Sequence, residues 1–415
     1  MRKRGKYAEA LEILQEVIKA QPNPARALVQ AGYCLTKLNR SDEALDFYER
    51  ALQIVPNYGD AHAYLSLTYR DLGRKKEALE SLNRAIRIKP GLIKNDFWLS
   101  QLAYRHADSK HWEEALAAFT TLTELNEKNA NAWHGIGWAN EYLDRYSEAA
   151  TAYERAAKLT PEDAVVQTNL GGVYIRLGRP KEALEHLQRS KELQPSSNAP
   201  THINLGHAHF GLGNFDIALA SILEALKLDP HIEGGYQLLG SCLAELGRYE
   251  DAVRAIKTGI QIEPDNAELY AALAQCSLEL GELAEATDSA KEATRLRPDS
   301  AYSHFCLGWV LQNQDHYDEA IAAHKRSLEL NPNQFEPYAN LGLIYMERGQ
   351  NQDALGAFLT AVGIQPQDEM LHLKLGELYI RLGRQDDALV ELQTLKELHD
   401  PLADDLAKQI KSGSS

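Results

Sequence analysis

Apolar and polar positions are spaced most clearly between Phe335 and Asp368. Tyr338, Leu341, Gly342 and Tyr345 recur at i, i+3, i+4 and i+7, which puts them on one face of a helix. Gly349 follows as the left-handed residue that closes such a helix. A second helical face then shows Ala354, Phe358 and Ala361, and Pro366 stops it, because proline cannot continue a helix. The predicted unit is helix, turn, helix.

That unit repeats along the chain. Prolines stand at 22, 56, 90, 161, 195, 230, 264, 298, 332 and 366, mostly 34 apart, with Glu127 at the place where one is missing. Twelve residues before each proline place stands an alanine: Ala10, Ala44, Ala78, Ala115, Ala149, Ala183, Ala218, Ala252, Ala286, Ala320, Ala354 and Ala388. Twelve residues earlier again lies a second small residue: Gly32, Ser66, Ala103, Gly137, Gly171, Gly206, Gly240, Ala274, Gly308, Gly342 or Gly376. Two small places at that spacing suit antiparallel helices whose backbones come close where they cross. The turn place holds Gly5, Gly73, Gly178, Gly213, Gly247, Gly281, Gly349 or Gly383, or else Asn39, Asp144 or Asp315, which tolerate the same conformation. A fixed period of this size sets the architecture before any local assignment.

The motif W-x2-L-G-x2-Y, then A-x3-F, then P stands nearly whole in Tyr338, Leu341, Gly342, Tyr345, Ala354, Phe358 and Pro366. Trp133, Ile136, Gly137, Ala149, Tyr153, Ala156 and Pro161 give another good match. In these residues the chain resembles the tetratricopeptide repeats over almost its full length. The expected fold is all-α, a right-handed superhelical solenoid of antiparallel helix pairs. Eleven complete units are read at 25–58, 59–92, 96–129, 130–163, 164–197, 199–232, 233–266, 267–300, 301–334, 335–368 and 369–402.

Residues 1–24 supply only the second helix of a unit, with Gly5 in its turn, leaving Tyr7, Leu11 and Leu14 short of cover. A truncated chain explains this, and so does an end that pairs with another copy. At the other end Asp400 and Pro401 suit a cap and first turn, and Leu402, Leu406 and Ile410 make residues 402–411 an amphipathic lid. Residues 412–415 read as a disordered tail. Two faults interrupt the period. Ile93, Lys94 and Asn95 precede the third unit, whose turn carries Lys110, and Asn198 precedes the sixth. They are read as loop insertions, or, for the first, as a bend that opens the groove.

Composition narrows the function. With 44 basic and 59 acidic residues in 415, the net charge of −15 argues against a general nucleic-acid binder. No run of about 18 apolar residues exists to cross a membrane. Four cysteines without a secretory signal suggest a reducing, cytoplasmic setting. Cys34, Cys242, Cys276 and Cys306 are dispersed and read as small buried hydrophobes. His202, His207 and His209 lack metal-site spacing, and no phosphate loop or nucleophile elbow occurs. No cofactor, metal site or catalytic group is expected, so the chain is read as a non-enzyme.

The resemblance implies that each first helix lines a concave face through its second, fifth, sixth, ninth, twelfth and thirteenth residues. In the fourth unit these include Asn131, His134, Trp138, Glu141 and Tyr142. The fifth and sixth units contribute Thr168, Asn169, Arg176, Asn204, His207 and Phe210, and Asn340 shares the asparagine place in the tenth. An amide side chain both donates and accepts, so Asn169 and Asn204 can grip a peptide backbone of any sequence. This is similar to a two-rung version of the asparagine ladder of O-linked N-acetylglucosamine transferase repeats. Tyr104, Trp138 and a second cluster of Tyr302, Phe305 and Trp309 offer aromatic anchors. Glu245, Glu268 and Glu279 make the intervening groove acidic, which favours a partner carrying Lys or Arg. The chaperone-binding clamp of the family is absent, because its comparable stretch holds Val29, Tyr33, Tyr64, Phe97 and Gln101. The expectation is a scaffold for extended peptides or a partner domain. Self-assembly through the N-terminal end, or service as the substrate-recruiting arm of a transferase, stays open.

Overall fold

The computed structural model describes residues 2–194, 198–398 and 401–412. Its twenty-four α-helices, with no strand among the described residues, fall into two compact units, residues 1–212 and 213–415. The first unit opens with a lone helix, Arg2–Ala20. Five helix pairs follow: Ala25–Lys37 with Ser41–Ile54, Gly59–Asp71 with Lys75–Ile88, Asp96–Asp108 with Trp112–Leu125, Ala130–Tyr142 with Tyr146–Leu159, and Ala164–Arg176 with Pro180–Leu193. Ala199–Gly211 closes that unit. The second unit begins with Phe215–Leu228. Its five pairs are Gly235–Glu245 with Tyr249–Ile262, Ala267–Glu279 with Leu283–Leu296, Ala301–Gln312 with Tyr317–Leu330, Phe335–Glu347 with Asn351–Ile364, and Glu369–Arg381 with Gln385–Glu397. Leu402–Ser412 covers the last pair. Each unit is a solenoid stack of antiparallel helix pairs.

The alanine register is the centre of every pair. From Ala44 to Ala388 all eleven alanines are fully buried, whereas Ala10, without a first helix beside it, is only half-buried. The glycine register works differently from simple backbone contact. A Cβ on Gly137 would lie 2.6 Å from the Tyr153 ring, and one on Gly240 would lie 2.4 Å from Ile256. The same relation joins Gly32 to Tyr48, Gly171 to Leu187, Gly308 to His324 and Gly342 to Phe358. Each glycine is therefore the socket for the bulky residue four places after the alanine. Overfilling such a socket costs about 1–3 kcal/mol. Gly376 instead receives Leu406 of the final helix, whose side chain is fully buried.

A second device locks the loops between repeats. In five repeats the side chain of the fourth residue donates to the backbone carbonyl six residues earlier, at the proline place. His62 Nε2 reaches Pro56 O at 3.0 Å, Trp133 Nε1 reaches Glu127 O at 2.8 Å, and Gln167 Nε2 reaches Pro161 O at 3.3 Å. His304 and His372 do the same to Pro298 and Pro366, each at 3.0 Å. A carbonyl freed at a helix end thereby regains a partner.

Several expectations are corrected by the backbone. Gly5 is not in a turn, because the first helix runs through it from Arg2 to Ala20. Leu11 is not left uncovered either: it is 5% exposed, packed with Leu28 and Leu35. Lys110 adopts the left-handed turn with φ of 60°, at a cost of roughly 1–2 kcal/mol for a residue with a Cβ. The residues added before the third repeat fold as a 3-10 turn, Pro90–Lys94, with Leu92 buried and Asn95 capping the next helix through Phe97 N. Asn198 caps its helix by accepting from Thr201 N at 3.0 Å. The final helix extends through Ser412, one residue into the expected tail; Asp400 and residues 413–415 lie outside the described residues.

Candidate functional site

The fourth, fifth and sixth first helices bring together four of the expected residues. Asn169, Arg176, Asn204 and His207 line a cavity of about 230 Å³ with Glu141, Gly172 and Ile175. Gly172 leaves room for the Asn204 amide, because a Cβ there would stand 3.1 Å from its nitrogen. The Asn169 amide donates to His134 Nε2 at 3.0 Å. Burial lowers the His134 pKa and keeps the ring neutral, as an acceptor must be. The Asn204 amide has no hydrogen-bond partner among the described residues. One rung is thus partly committed and the other is open.

Charge in this cavity is nearly balanced. Burial raises the Glu141 pKa, against the opposing effects of the Tyr153 hydroxyl, which donates to its Oε2 at 3.1 Å, and of Arg176. His207 lines the cavity; desolvation lowers its pKa, and the Arg176 charge acts in the same direction. Arg176 makes no ion pair among the described residues. The cavity therefore offers amide, guanidinium and imidazole groups to whatever enters it.

Other expected residues fall elsewhere. Thr168 is 4% exposed, and its hydroxyl is tied to Ser190 at 2.7 Å and Thr201 at 2.8 Å, so it belongs to a buried polar knot and not to the groove. Ile203 is buried at the same fifth place, because that place turns toward the neighbouring repeat. Tyr104 is half-buried, edge-on to Phe119 at 5.1 Å. Phe210 is half-buried and Asn131 exposed. Trp138 and Tyr142 join Trp112, which the pattern had not singled out. Trp112 stacks on Tyr142 at 4.1 Å with 8° between planes, and Trp138 meets it edge-on at 5.2 Å. Tyr142 is 59% exposed, so the trio presents an open aromatic surface.

In the second unit the anticipated aromatic cluster divides. Tyr302 and Phe305 pack together at 6.4 Å, and the Tyr302 hydroxyl donates to Gln275 Oε1 at 3.1 Å. Trp309 has no ring contact with them among the described residues, and lines a separate cavity of about 390 Å³ with Glu245 and Glu279. Glu268 is not a free groove charge, because it pairs with Arg297. All four cysteines are free and buried. Among the described residues no three His, Cys, Asp or Glu side chains are grouped to hold a metal ion, and no helix is long and apolar enough to cross a membrane.

Stacked helix pairs with a side-chain-lined inner face define a class of repeat proteins built for protein–protein interaction. Tetratricopeptide repeat models match residues 2–59, 100–164, 305–369 and 339–396, with further models of the same repeat at 40–93, 162–231 and 243–305, and the chain belongs to the tetratricopeptide repeat family. It is 28% identical over 149 residues to the human protein O-mannosyl-transferase TMTC3, covering 32% of this chain and 16% of that protein. It is 25% identical over 137 residues to anaphase-promoting complex subunit 3 of Schizosaccharomyces pombe, covering 33% and 20%. Over 90 residues it is 34% identical to the Hsp70-Hsp90 organizing protein of Triticum aestivum, covering 22% and 15%. The chain thus spans a fifth or less of these relatives' length. Two solved structures share the fold at 16% identity. Yeast Tom70 has a TM-score of 0.50 over 94% of this chain and 95% of its own. The Cut9-Hcn1 hetero-tetramer of the APC/C has a TM-score of 0.55 over 98% and 87%.

Proposed function

We propose that the chain is a non-catalytic interaction scaffold that holds an extended peptide segment along the first helices of its fourth to sixth repeats. The observation that carries this reading is the open Asn204 amide, set over Gly172 one repeat beyond Asn169 in the same cavity. Amides at one repeat's spacing meet the backbone of an extended partner without demanding a particular sequence. Trp138 and Tyr142 of the fourth repeat, joined by Trp112 from the third, supply an anchor for an aromatic, proline or aliphatic side chain. The relatives named for chaperone organisation and for the anaphase-promoting complex support a protein partner; none of them identifies it.

The test is affinity capture from a lysate with the wild type beside an Asn169→Ala/Asn204→Ala variant, followed by cross-linking of captured partners. Circular dichroism verifies that the variant stays folded. Loss of a partner whose cross-links map to repeats four to six supports the reading. Equal capture by both proteins, or cross-links confined to other surfaces, removes it.

A further inference from the structure

We infer that the cavity of the second unit bounded by Glu245, Glu279 and Trp309 is a receptor for a single arginine side chain of a partner segment. Glu245 and Glu279 occupy the same place in successive repeats, the thirteenth residue, and both are exposed to the cavity. Neither makes an ion pair or hydrogen bond among the described residues. Nearby carboxylates behave differently: Glu268 is taken by Arg297, and Glu285 by Lys257 at 2.7 Å. No lysine or arginine lines the cavity among the described residues. Two carboxylates are thus held unneutralised on one inner wall of a unit that pairs their neighbours.

The other walls favour a guanidinium as the counter-charge. Trp309 contributes an indole, and a planar guanidinium stacks on such a ring while its N–H groups fork to a carboxylate. At the floor is the Cys276 thiol, 4% exposed and without a hydrogen bond among the described residues, beside Gln275. Burial, with Glu279 adding to it, pushes that thiol to about 11, so it stays neutral and brings no further negative charge to the floor. At about 390 Å³ the cavity admits one long side chain, not a folded element. This assignment does not depend on the asparagine reading of the first unit.

The experiment uses the full chain labelled with 5-fluorotryptophan, the Trp309 fluorine resonance being the one missing from Trp309→Phe. The probes are the blocked tripeptide Gly-Arg-Gly and its citrulline analogue, which keeps the shape and removes the charge. The Trp309 signal is expected to move with the arginine probe and not with citrulline, and a Glu245→Gln/Glu279→Gln variant, altered only at exposed carboxylates, weakens binding about tenfold or more. Equal shifts with citrulline, unchanged affinity in the double variant, or no shift at about 10 mM probe overturns the assignment. Asn169→Ala/Asn204→Ala leaves this titration unchanged, which keeps failure of the two sites distinguishable.

Discussion

Repeats four to six and repeats seven to nine use the same inner positions for opposite chemistry. At the sixth residue the first trio has Gly135, Asn169 and Asn204, and the second has Leu238, Ala272 and Cys306. At the thirteenth the first has Tyr142, Arg176 and Gly211, against Glu245, Glu279 and Asn313. The first site is amide-rich and close to neutral; the second is acidic with an indole. The backbone beneath them is the same, because the buried alanine recurs in every repeat of both and the glycine socket in most, with Ala274 in its place in the eighth. The alanine register that holds the stack together is therefore separate from the thirteenth place, which is free to differ from repeat to repeat.

The largest effects come from attacking that shared backbone. Gly137→Ala and Gly240→Ala each drive a methyl group into Tyr153 or Ile256 and are expected to cost up to about 3 kcal/mol in denaturant unfolding. Because repeats contact only their neighbours, Gly240→Ala should disable the acidic cavity while leaving partner capture at Asn169 and Asn204. Simultaneous loss of both sites would break the separation.

A second difference lies in acid response. His324 of the second unit is fully buried with neither ring nitrogen bonded among the described residues, and burial lowers its pKa to about 4. Its counterparts in other repeats include Tyr153 and Phe358. From pH 6.5 down to 4 the unfolded imidazole binds a proton that the folded one refuses, so stability falls by up to about 1.4 kcal/mol per pH unit. His324→Phe should flatten this limb in urea unfolding between pH 7 and 4. His372 acts in the opposite sense. Its bond to Glu391 at 2.6 Å raises its pKa, so that its contribution is full below 6.5 and is lost as pH rises through the raised value. His372→Gln should keep the bond to Pro366 and remove only that alkaline loss.

The smallest expected effect sharpens the comparison most directly. Arg176→Glu should give the first cavity the acidic character of the second, and Glu279→Arg the reverse. Association rates with a basic partner peptide should then change by roughly tenfold at low salt and converge at high salt. Indifference to both substitutions would show that neither cavity meets the partner's charge.

The turns and the places of the small residues are legible because backbone geometry limits them to few residue types, but the bulky side chain that each glycine receives is not. Asn39, Asp144 and Asp315 were read as left-handed turn residues, and each has positive φ. Groove membership was less legible. Thr168 and Asn169 are adjacent polar residues of one helix, yet one is knotted to Ser190 and Thr201 while the other faces the cavity. A shift of 100° around a helix separates them, and period alone does not say which neighbour will meet each face. Trp112 carries no groove signal in the repeat pattern, because it begins a second helix and reaches Tyr142 only across a repeat boundary.

The sequence by itself determined the helix pairs, their period and the small residues on which they cross, since these follow from local conformational limits repeated many times. Which charges stay free was decided by tertiary structure. Glu268 and Glu279 lie on one helix, but only the former lies within reach of Arg297. Ion pairing between repeats depends on distances set by packing, and no spacing along the chain encodes them.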